Sequence, residues 1–138
     1  MKIVNRFISL GLFLLAMGLT AGCGSTNSSD NSLMTLLSSS PLVLATTPAN
    51  GATGVSTASP VVITFNKTIN SVSVTSSSFS FSPAVTGTYS VNSIAVTFVP
   101  TTGFTAGTTY TVTIPSGGIT DTDGYAVMLE SKFTFTTE

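Results

Sequence analysis

The chain has 138 residues, a net charge of −1 and only 7% charged side chains, which leaves room for one ordinary domain and a leader but not for two domains. It has no histidine and a single cysteine, so Ser-His-Asp and Cys-His nucleophile arrangements, His-ligated metal sites and a disulfide framework are all excluded by inventory. Only four Lys and Arg are present, without clustering, so the charge pattern gives no footing for a phosphate backbone and no nucleic-acid partner is expected.

Residues 1–22, MKIVNRFISLGLFLLAMGLTAG, begin with Lys2 and Arg6, run apolar over 7–19 and end in small residues, which is the order of a secretory signal. Residues 7–20 would rise only about 21 Å as a helix, short of a hydrocarbon core of about 30 Å, so a membrane span is disfavoured. The end of this run, LTAGC, resembles the lipobox of bacterial lipoproteins, in which small residues precede a cysteine that is lipidated before cleavage. Thr20 stands where that family usually has Leu, and Leu19 is displaced by one. The resemblance implies that Cys23 becomes a lipid-bearing mature N-terminus, the alternative being an unmodified thiol beside an ordinary cleavage site. It also implies that Gly24, in place of Asp, permits sorting to the outer membrane of a Gram-negative host. A diacylglyceryl group supplies two fatty chains, and each buried CH2 contributes about 0.8 kcal/mol, whereas one chain alone anchors only marginally. The expected partner of this end is therefore a membrane.

Cys23 and the Ser/Thr/Gly-rich stretch to residue 40 read as a lipidated, flexible spacer; the roughly 17 residues of GSTNSSDNSLMTLLSSS would reach about 20–25 Å. Leu33, Met34, Leu36 and Leu37 interrupt it with an apolar patch, which suits a short helical turn on the domain or a contact with the bilayer interface.

From residue 41 to 138 the pattern changes to short alternations between turn residues. In PVVITFN, period two places Val61, Ile63 and Phe65 on one face; Ile94, Val96 and Phe98 follow in SIAVTFVP, Tyr110, Val112 and Ile114 in TYTVTIP, and Phe133 and Phe135 in KFTFTT. Weaker strands are expected at 42–46, 78–82 and 87–92, with Pro60, Pro83, Pro100 and Pro115 at strand ends, where a missing amide donor costs least. The result is an all-β body, a two-sheet sandwich of immunoglobulin type with about seven strands, large enough to bury a core without a disulfide. Tyr110, at the start of the penultimate strand, suits either a tyrosine corner or plain core burial.

TPANGATGVS, VVITFNKTI, VTFVP, FTAGTTYTVTI, GITDTDGYAV and FTFTT, in that order over about 47–137, resemble the bacterial Ig-like domain of S-layer-type (SbsA-like) proteins. Tyr125 departs from the Asn often found after the Gly. The resemblance implies an extracellular structural or adhesive module, with no catalytic residues to carry over.

Three chemical readings compete within the body. In ITDTDGYAVMLE, Asp121, Asp123 and Glu130 occupy three oxygen positions of an EF-hand-like Ca2+ loop, but Ile119 replaces the first carboxylate, which favours a tight turn capped by Asp121 and Asp123 with Gly124 at positive φ. Lys67 and Lys132 are not spaced to activate a serine, so no enzyme is expected, and they read better as solvent-facing or edge-strand charges. Loops near 50–58, 100–108 and 115–127 offer Phe104 and Tyr125 as aromatic tips for a glycan or an envelope protein if those rings are exposed. The leading expectation is thus an exported, lipid-anchored envelope module without cofactor, the alternative a small surface-binding protein working through its loops.

Overall fold

The computed structural model describes residues 28–138; the signal segment 1–22 and Cys23 lie outside the described residues. The first element corrects the expected coil. Residues Ser28–Ser39 form a helix, α1, in which Leu and Met supply good helix formers. Ser40 closes it, its N–H and its hydroxyl both donating to the Leu36 carbonyl at 3.0 and 2.8 Å. The next residue is the buried Pro41, which disfavours helical backbone at Ser40 and turns the chain into the first strand.

Eight strands follow: β1 (Val43–Thr47), β2 (Ala52–Val55), β3 (Val61–Phe65), β4 (Ser80–Ser82), β5 (Gly87–Asn92), β6 (Ala95–Pro100), β7 (Thr109–Ile114) and β8 (Ser131–Thr137). They form two four-stranded sheets, β1-β3-β6-β5 and β2-β8-β7-β4. All pairings are antiparallel except β2 with β8. This is the all-β immunoglobulin-type sandwich that the alternation predicts, and the eighth strand arises because the first strand is split between the sheets. β1 pairs with β3; the chain then passes Pro48, which has no amide to donate, and turns through Gly51 at φ +80° to join β8. Asn50 and Gly51 fasten the crossing, since Thr134 N–H donates to Asn50 Oδ1 at 3.0 Å and Gly51 N–H donates to the Thr134 carbonyl at 2.7 Å.

The apolar faces meet between the sheets. Val61, Ile63 and Phe65 from β3, Val96 and Phe98 from β6, and Val112 and Ile114 from β7 have no measurable exposure. Tyr110, Phe133 and Phe135 are buried with them. Ile94 is a correction, being 40% exposed where an inward position was expected. It belongs to the β5–β6 hairpin turn, where Ser93 takes φ +54°, so strand alternation begins only at Ala95. Lys67 and Lys132 also depart from an edge-strand role. Lys67 follows β3 in a loop, and Lys132 lies on β8, an interior strand, where it pairs with Glu130 at 2.6 Å.

The sandwich has two unlike ends. The chain comes in at what we term the near end, where Leu42 N–H donates to Asn66 Oδ1 (2.7 Å), Asn66 N–H to the Leu42 carbonyl (3.1 Å) and Phe65 N–H to the Ile94 carbonyl (2.8 Å). The last strand finishes at the far end, where Glu138 N–H donates to the Val55 carbonyl (3.0 Å) and Gly107 N–H to the Glu138 carbonyl (3.0 Å).

Candidate functional site

At the near end two long connections, 66–79 and 115–130, are stitched into one unit. Asn70 starts a 3-10 turn (Ser71–Ser73), its side chain accepting from Val72 N–H at 3.2 Å. Ser73 Oγ donates to the Asn70 carbonyl (2.7 Å) and accepts from Thr120 N–H (3.0 Å), while Asn70 N–H donates to the Thr120 carbonyl (2.9 Å). Ile69 bridges to Asp121, and Thr122 N–H donates to the Thr68 carbonyl at 3.0 Å. The buried Ser78 closes its own turn, accepting from Thr75 N–H (2.8 Å) and donating to the Ser73 carbonyl (2.6 Å). Most of these bonds use backbone groups, and the short Ser and Asn side chains that complete them have the local bonding habit expected of turn residues.

Asp121 sits at the centre of this unit and is 1% exposed. Its Oδ1 accepts from Asp123 N–H at 3.0 Å and Tyr125 N–H at 2.8 Å, and its own N–H donates to the Tyr125 carbonyl at 2.9 Å. Gly124, at φ +92°, supplies the left-handed residue this turn requires. Asp121 Oδ2 is buried without a hydrogen-bond partner. The Ca2+ expectation needs Asp121, Asp123 and Glu130 to converge, and they do not: among the described residues no three acidic, His or Cys side chains come together to hold a metal. Asp123 faces solvent, and Glu130 is engaged by Lys132. The local geometry is that of the capped turn.

The two aromatic candidates part company. Phe104 is a correction: it is 5% exposed and lies between the sheets, its ring centroid 4.9 Å from Tyr110 and 5.1 Å from Phe135. Tyr125 stays at the surface with 45% exposure. Tyr110 is both buried and a corner, its hydroxyl accepting from Thr105 N–H at 2.9 Å. This bond closes the far-end loop beside the buried Phe104 ring, an outcome that a loop position in sequence does not announce. Beside the near end, Pro41, Leu42, Val43, Val127 and Leu129 help to line an open groove of about 150 Å³.

Apart from Tyr125, the exposed apolar side chains of the loops are the feature that pattern reading missed. Val72 (81%), Leu129 (60%), Tyr125 (45%), Ile94 (40%) and Met128 (40%) all belong to near-end loops. Their signal was present, as large apolar residues inside turn-rich segments, where no strand alternation would bury them.

The sheet orders, the first strand shared between sheets and the tyrosine corner at the start of β7 define an immunoglobulin-like sandwich. More narrowly, the chain belongs to the family of bacterial Ig-like domains, which it matches over residues 38–137. No curated protein sequence matches it. Among solved structures it is similar to the L,D-transpeptidase LdtMt1 in complex with imipenem, at 29% identity and TM-score 0.52, covering 70% of this chain and 39% of that one. It is similar also to an L,D-transpeptidase from Mycobacterium smegmatis, at 21% identity and TM-score 0.53, covering 70% and 39% of the two chains. A third similarity is to surface layer protein SbsC, domains 1-6, at 19% identity and TM-score 0.55, covering 80% of this chain and 15% of that one. The chain therefore spans a minor part of each, and the likeness to the last two is one of fold.

Proposed function

We propose that this is an exported envelope protein, held to a membrane by lipid on Cys23, whose Ig-like domain is a non-catalytic structural module of the kind found in S-layer-type proteins. The observation that carries the reading is the opposite placement of the two chain directions. The polypeptide joins the sandwich at the near end through Leu42 and Asn66, and β8 runs out at the far end beside Val55 and Gly107. A domain threaded in this way holds whatever it bears at a fixed height above its tether. The polar groups of the near-end loops are largely spent on one another, which suits a scaffold better than a reactive centre. Sorting to the outer membrane in a two-membrane host, and adhesion through the far end, extend the same reading.

Cys23→Ser tests it. The parent should carry a diacylglyceryl mass on its N-terminal residue and fractionate with membranes, and the variant should be released to the soluble fraction. A variant that stays with membranes as the parent does, or a parent without added hydrocarbon mass, would overturn the anchor. Tyr125, exposed at the tip of a stitched loop, favours a second reading in which the near end recognises a glycan or an envelope protein. A glycan array probed with the parent and with Tyr125→Ala separates the two, since a pure spacer gives no signal with either.

A further inference from the structure

We infer that the near end of the domain is itself a lipid-contacting face, seated in the interfacial layer of the bilayer to which the chain is tethered; this rests on the anchor proposed for Cys23. The exposed apolar side chains are unevenly distributed. Val72, Ile94, Tyr125, Met128 and Leu129 crowd the near-end loops, whereas the far-end connections, 56–60, 83–86 and 101–108, expose no large apolar side chain among the described residues, Val99 on the adjoining end of β6 being the one exposed apolar neighbour there. Met34 (69%) and Leu36 (45%) of α1, which leads into the same end, are exposed too.

The tether decides what covers this face. Cys23 is separated from α1 by residues 24–27, which span at most about 14 Å when extended, and a 12-residue helix rises about 18 Å. With about 10 Å more for residues 40–42, the near end lies within about 42 Å of the lipid attachment, and contact becomes an intramolecular event at high effective concentration. The charged residues at this end are Lys67 and Lys132 against Asp121, Asp123 and Glu130, a formal excess of one acid, and Lys132 is already paired with Glu130, so no basic patch is present there. The contact is accordingly apolar in origin and gains nothing from anionic lipid.

The chain has no tryptophan, so a single introduced indole reports without background. Full-length lipidated protein carrying Leu129→Trp, Val72→Trp or, at the far end, Ala106→Trp is reconstituted in phosphatidylethanolamine vesicles containing doxyl-labelled lipid, with and without phosphatidylglycerol. The N-terminal mass is measured on each sample, and far-UV circular dichroism verifies the fold. The expected result is quenching at positions 129 and 72 at least about threefold stronger than at 106, not strengthened by phosphatidylglycerol. Equal quenching at all three positions on protein bearing the diacylglyceryl mass overturns the lipid face and leaves the anchor standing. Blue-shifted emission without quenching at 129 and 72 also overturns it, in favour of a second copy or another protein on that surface. Protein without the added mass that fails to bind vesicles removes the anchor and this inference together, whereas unlipidated protein still quenched at 129 and 72 removes the anchor alone.

Discussion

Tyr110→Phe deletes one oxygen and leaves the ring where it is. That ring is 3% exposed, with centroids 4.9 Å from Phe104 and 5.6 Å from Phe135, so its packing survives the change. What is lost is the bond from Thr105 N–H, 2.9 Å long. A neutral intramolecular hydrogen bond contributes about 1 kcal/mol net, and because Thr105 lies in an exposed loop, water can solvate the freed amide and hold the loss near that figure. For a domain of this size, about 1 kcal/mol lowers Tm by about 4–8 °C. Phe104→Ala is the reference, since truncating a buried Phe costs about 3–5 kcal/mol through lost burial and a residual cavity. Thermal and urea unfolding of the full chain, followed by far-UV circular dichroism, should rank parent above Tyr110→Phe above Phe104→Ala. A Tyr110→Phe variant that melts with the parent, or one that falls as far as Phe104→Ala, would refute a corner that works by a single hydrogen bond.

Asp121→Ala removes the acceptor of two backbone N–H groups and should cost about 2–4 kcal/mol in a urea titration, while millimolar Ca2+ leaves the parent's Tm unchanged. Gly87→Ala would drive a methyl into the Phe98 ring and the Val99 carbonyl; because the carbonyl is fixed in the β5–β6 ladder, a loss of about 1–3 kcal/mol is expected by the same titration. Tyr89 donates to the Phe79 carbonyl at 2.9 Å, and burial pushes its phenol above the ordinary value of 10.0. The folded state thus holds that proton more tightly than the unfolded chain. The resulting stabilisation is complete below about pH 10 and lost as pH rises through the folded-state value, so Tyr89→Phe should melt with a shallower alkaline decline than the parent.

The strands that alternate strictly were legible because one face of each is buried: Val61, Ile63 and Phe65, then Tyr110, Val112 and Ile114, fall on the inner faces that period two assigns them. β2 was not, because ATGV is four residues long, holds a glycine at φ +65° and pairs only with β8, so it displays no hydrophobic period. Ile94 and Phe104 failed for opposite reasons. A hairpin turn lifts Ile94 out of the strand it precedes, and Phe104 packs into the core from a loop that the Tyr110 hydroxyl closes. The capped turn at Asp121 and Gly124 could be read from DTDG, since both residue types carry their own bonding and φ preferences. The stitching of 66–79 to 115–130 was invisible, being made mainly of backbone groups distant in sequence.

Splitting the first strand between the sheets has a mechanical consequence. β2 and β8 run in the same direction, so tension applied between the N-terminal side of β2 and the C-terminal end of β8 slides one strand lengthwise past the other. The bonds of Asn50 and Gly51 to Thr134, and of Glu138 to Val55, are then strained together rather than peeled apart in turn. The seam resists pulling as a glued lap joint does.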